Sequence, residues 1–113
     1  MKSMTRKEIS DMIGSLGIPY AYYEFTEDTA VPPPFICFYS SRNDDFMADD
    51  GNYVKIERLT IELYTEEKDF TMESNVEAVL HSNNLAYSRS EAYLGSERMY
   101  MVIYQTEVII KDG

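Results

Sequence analysis

Carboxylates dominate the side chains able to do chemistry: twenty Asp and Glu stand against ten Lys and Arg, one His and one Cys in 113 residues. His81 by itself cannot build a histidine metal cage, and Cys37 has no second cysteine for a zinc site or an intrachain disulfide. Among apolar neighbours it reads as a buried, inert thiol. Asp49-Asp50-Gly51-Asn52 has the look of a calcium loop but lacks the alternate-position oxygens and closing glutamate of an EF-hand. None of the five glycines forms a phosphate cradle, and no serine sits in a G-x-S-x-G setting. Glu57 and Glu62 could face a cleft together, but a solvated sheet face accounts for them. No catalytic residue, cofactor or metal site is expected, and the chain does not read as an enzyme.

One stretch mixes charge and bulk differently. In SRNDDFMADDGN, residues 41–52, Asp44, Asp45, Asp49 and Asp50 flank Phe46 and Met47. It reads either as a solvated hairpin loop whose Phe46 folds back onto the core, or as a contact arm that inserts Phe46 and Met47 into a neighbour. Apolar groups ringed by charge mark interaction sites. These six residues are the candidate contacts with a neighbouring subunit.

The element that must position them is YVKIERLTIELYT, Tyr53 to Thr65, where Val54 and Ile56, then Leu59, Ile61 and Leu63, recur at period two. The phase slips at Glu57-Arg58, which predicts a β-bulge there. Thr5-Arg6-Lys7-Glu8 has the form of a capping box and opens a helix over Arg6 to Leu16, with its apolar stripe on Ile9, Met12, Ile13 and Leu16 and Gly17 closing it. Gly14 weakens that helix by about 1 kcal/mol relative to alanine. Pro19 starts an extended Tyr20 to Phe25, and TEDTAVPPP leads to a short buried strand, Phe35 to Ser40. Asp69 caps a helix over Phe70 to Ser82 that faces inward through Met72, Val76, Val79 and Leu80. Glu73 and Glu77 sit near its dipole-favoured start, and Asn83-Asn84 ends it. Leu85 to Leu94 and Arg98 to Ile110 are the last strands, joined at Gly95-Ser96. Tyr100, Val102 and Tyr104 alternate with Met99, Met101 and Ile103, so the last strand should be internal and covered on both sides.

This order is α-β-β-β-α-β-β in a single domain spanning 1–113. The fold class is α+β, a mostly antiparallel sheet of four to five strands with two helices packed on one face. A second apolar face would then need a partner subunit. At 44% hydrophobic and 13% aromatic the chain is too apolar for disorder, and its length allows about two thirds of its surface to be buried. A formal charge of -10 opposes binding to nucleic acid exteriors or anionic membranes. No apolar h-region follows MKSMTRKE, and no run approaches the roughly 20 residues needed to span a bilayer, so a cytoplasmic protein is expected.

Three pieces, IPYAYYEF followed by PPPFICFY, the run from Phe46 through Ile61-Glu62-Leu63-Tyr64-Thr65 to Lys68-Asp69, and Ser96-Glu97-Arg98-Met99-Tyr100 leading to Ile103-Tyr104, cover about residues 18 to 110. Together they resemble the tail-completion, or tail-terminator, proteins of long-tailed bacteriophages and Gram-positive prophages. The resemblance implies a structural virion protein, an α+β subunit that assembles into a ring, commonly a hexamer, at the head-proximal end of the tail tube. Such a ring stops tube growth and joins tail to head, with tail-tube and head-connector proteins as partners. It implies virion localisation after assembly in the host cytoplasm, no membrane partner, and DNA passing through the channel without specific binding. A head-closure component and a monomeric acidic DNA mimic are the alternatives.

Overall fold

The computed structural model describes residues 2–47 and 53–111. The chain forms β1 (Ser3–Met4), α1 (Arg6–Gly14), β2 (Tyr20–Tyr22), β3 (Phe35–Met47), β4 (Tyr53–Thr65), α2 (Phe70–Ser82), β5 (Ser88–Leu94) and β6 (Met99–Ile110). The strands make one six-stranded sheet in the order β1-β6-β4-β3-β2, with β5 beside β6 on the edge that β1 also uses. The fold is α+β, as expected, but the sheet is mixed. β3, β4, β5 and β6 pair antiparallel, whereas the short outer strands run parallel, β1 to β6 and β2 to β3. The connection over 23–34 explains the latter, because parallel neighbours need about a dozen residues to carry the chain back.

Local chemistry sets both helices. Thr5 accepts from the Glu8 amide at 3.0 Å while Glu8 accepts from the Thr5 amide at 2.8 Å, so the capping box is complete. Gly17 adopts φ +76° just beyond α1, a conformation open to glycine at no steric cost. Gly14 has a packing role: a Cβ there would lie 3.0 Å from the Tyr20 hydroxyl. Asp69 accepts from the Met72 amide at 3.0 Å and caps α2, and Asn84, at φ 57°, ends it.

Ile9, Met12 and Ile13 of α1 and Val76 and Leu80 of α2 pack on one face of the sheet, against Ile36, Leu59, Ile61, Leu63, Val102 and Val108. Among the described residues, the opposite face carries no helix. Met99, Met101 and Ile103 of β6 point that way and stay half-buried. The sequence reading is corrected here, for β6 is internal in the sheet but covered on one side only.

Two further expectations give way. The bulge is not in β4, which pairs with β6 without interruption from Ile56↔Ile109 to Thr65↔Tyr100. The register shift lies opposite, in β3 between Arg42 and Asp44. Continuous alternation in β4 therefore puts Glu57, not an apolar residue, on the helix side. The segment read as a loop from Ser41 onward is strand up to Met47, with Asp44↔Ile56, Asp45↔Lys55, Phe46↔Val54 and Met47↔Tyr53 in register. Propensity misses it because Asp and Asn disfavour strands, while pairing to β4 overrides that preference.

Candidate functional site

Beyond Ile56, β4 has no pairing to β6, so the β3–β4 ribbon continues past the sheet as a two-stranded arm. The molecule accordingly measures 50 × 29 × 24 Å, with a radius of gyration of 15.1 Å, against about 13 Å for a compact domain of this length. Asp44, Asp45, Phe46 and Met47 belong to the arm's backbone. Asp49 and Asp50 lie outside the described residues.

The base of the arm is anchored by the charge that alternation places inside. Glu57, 7% exposed, receives hydrogen bonds from Arg6 of α1 at 2.8 and 3.2 Å and from the Ser40 hydroxyl at 2.7 Å. A fork-to-fork pair of this kind supplies direction as well as charge, and it ties the start of α1 to the root of the ribbon. Counting back from Leu63, Ile61 and Leu59 in steps of two would have found Glu57 in the sequence.

A second buried carboxylate holds the other end of the sheet. Glu73 of α2, 4% exposed, meets Lys68 at 2.7 Å and also pairs with Arg89 of β5. Lys68 and Arg89 both reach Glu91 as well. Tyr104 donates to Glu77 at 2.8 Å, and burial pushes its phenol pKa well up, with the Glu77 acceptor adding to the rise. The sequence placed Glu73 near a helix dipole, but its larger role is to clamp β5, an otherwise exposed edge strand, to α2.

The uncovered face holds a concavity of about 520 Å³. Its floor is β3 and β4, and its walls are the segment after β2 and the turn after β5. Phe35 stacks on Tyr64 with ring centroids 4.7 Å apart, Phe25 meets Phe35 edge-on, and Tyr23 lies 5.4 Å from Tyr39. Tyr64 donates to Glu62 at 2.8 Å, so Glu62 does face a hollow, whereas its sequence partner Glu57 is on the other side of the sheet. Burial chiefly, and then Glu62, raise the pKa of both Tyr64 and the Cys37 thiol. Cys37 is buried, as its apolar neighbours suggested.

His81 is exposed in the last turn of α2. No group of three or more His, Cys, Asp or Glu among the described residues could hold a metal ion, and no helix among them is long and apolar enough to cross a membrane. The concavity brings together aromatic rings, three carboxylates and the Cys37 thiol.

No family model matches the sequence, and no curated protein matches it. Among solved structures the chain is similar to one from "Virion of native gene transfer agent (GTA) particle". That match covers 86% of this chain and 84% of the other, at 12% identity and a TM-score of 0.45.

Proposed function

We propose that this protein is a structural, non-catalytic subunit of a phage-type virion, a tail terminator that forms a ring at the head-proximal end of the tail tube and joins tail to head. The observation that carries the reading is the asymmetry of the sheet. One face is sealed by two helices, while the other, with Met99, Met101 and Ile103, stays half-buried and the β3–β4 arm projects beyond it. An apolar face and an extended arm on one small domain suit contacts with neighbouring copies, and a repeated head-to-tail contact closes into a ring. The motif resemblance over residues 18 to 110 supplies the tail-terminator role. The charge of -10 fits a channel whose carboxylates repel the DNA backbone so that it passes without sticking.

Oligomeric mass and particle imaging, at high protein concentration with tail-tube protein present, test this reading. Rings seated on tube ends are expected. Tubes that stay uncapped beside a monomeric chain would overturn it. Replacing Phe46 and Met47 by serine should reduce capping at unchanged thermal stability, and capping at parental level would remove the arm from the interface.

A further inference from the structure

We infer that the aromatic hollow on the uncovered sheet face is a receptor for an arginine side chain presented by a neighbouring protein of the assembly. The inference rests on the reading above only for the identity of the partner. The hollow stands on its own geometry.

Three carboxylates, Glu24, Glu62 and Glu97, line it together with the rings of Tyr23, Tyr39 and Tyr64, and no Lys, Arg or His is among its lining residues. The buried carboxylates of this protein, by contrast, are matched: Glu57 has Arg6, and Glu73 has Lys68 and Arg89. Glu24, Glu62 and Glu97 have no cationic partner among the described residues. Glu62 accepts one hydrogen bond, from Tyr64, which leaves its second oxygen open. Charge therefore gathers over a floor that carries the rings of Tyr39 and Tyr64, with Glu62 half-buried beside them and Tyr23, Glu24 and Glu97 exposed at the rim, a setting in which a cation is attracted by ring quadrupole and carboxylate together. A guanidinium suits it better than an ammonium, because it is planar, stacks on tyrosine, holds its hydration weakly and donates two parallel hydrogen bonds to one carboxylate.

The hollow is open to solvent, and half-buried Met101 and Ile103 lie beside its floor, paired with Tyr64 and Glu62. A free small cation would leave those side chains wet. An arginine carried on an apolar segment covers them while its stem lies along the rings, which favours a protein as the source.

The test uses the full chain and two probes, N-acetyl-arginine amide and its neutral isostere N-acetyl-citrulline amide, followed by two-dimensional NMR. The arginine probe should shift resonances of Tyr23, Tyr39, Tyr64 and Glu62, saturating at millimolar concentration, while the citrulline probe leaves them in place. Glu62→Gln keeps an acceptor for Tyr64, so the fold should persist, and binding should weaken about fivefold or more. Tyr39→Leu should weaken it as well. Equal responses to both probes, shifts scattered over the acidic surface, or unchanged affinity in Glu62→Gln would overturn the inference. Ring formation is read separately by mass. A chain that binds the arginine probe without forming rings keeps the receptor and loses the ring reading; rings without probe binding do the reverse.

Discussion

On the helix side of the sheet Leu59, Leu63 and Val108 are fully excluded from water, while on the opposite face of the same strands Tyr64, Met101 and Ile103 are only half-buried, though both sets are apolar. The strand period is identical on the two faces. What differs is the layer laid over them: Ile9, Met12, Ile13, Val76 and Leu80 cover the first, and no helix among the described residues covers the second. Apolar alternation on a strand thus shows that two faces exist, while the covering layer decides which becomes core and which is left for a partner.

The strongest way to break this comparison is a matched pair of truncations. Leu63→Ala should cost about 2–5 kcal/mol in urea unfolding, through lost transfer energy and the cavity left behind. Met101→Ala, half-buried on the open face, should cost less than about 1 kcal/mol yet reduce assembly. Equal costs would mean that the faces are energetically alike.

The charged anchors come next, and both lie on the helix side. Glu73→Gln should destabilise by about 1–3 kcal/mol, since Lys68 and Arg89 can turn toward water but the clamp on β5 is lost. Arg6→Ala should cost about 1–2 kcal/mol by leaving the Glu57 carboxylate without its guanidinium. Glu57→Leu restores the apolar alternation of β4 and should stay within about 1 kcal/mol of the parent, because a well-packed apolar residue can replace a buried ion pair. A loss from Glu57→Leu as large as that from Leu63→Ala would show that the pair is indispensable to the core.

The smallest effect sharpens the comparison with one phenol on each face. Burial raises the pKa of Tyr104 on the helix side and Tyr64 on the open side above the ordinary phenol range, and each also donates to a glutamate. For a group whose folded pKa is raised, the stabilisation is fully present below the unfolded pKa and is lost as pH rises toward the folded one. Stability should therefore begin to fall above about pH 10. Ultraviolet titration should show Tyr64 and Tyr104 ionising late. All ten tyrosines titrating together would contradict the burial of both.

Much of this was legible in the residues. The capping box at Thr5–Glu8, the cap at Asp69, the stop at Asn84 and the bounds of α2 depend on side chains within a few positions of the backbone they serve, and they stand as read. The loop assigned to residues 41–52 failed as far as Met47, since strand pairing with β4 outweighs the local preference of Asp and Asn for turns. The phase slip in β4 does not locate the bulge, because it has two solutions, an extra residue or a charged residue with a partner inside, and the partner lies fifty-one positions away. The carboxylates of the hollow were equally hidden: Glu24, Glu62 and Glu97 come from three separate segments, and nothing in their spacing announces that they converge.

The sequence by itself therefore determined the types and order of the elements other than β1, the apolar face of each helix and the excess of negative charge, because each of these is written in composition or in short-range periodicity. Tertiary structure alone decided which sheet face the helices seal, that β1 and β2 add in parallel at the edges, that Glu57 meets Arg6, and that aromatic rings and unmatched carboxylates share one recess. Those outcomes depend on contacts between distant segments, which the chain settles only by burying its apolar surface in one particular arrangement.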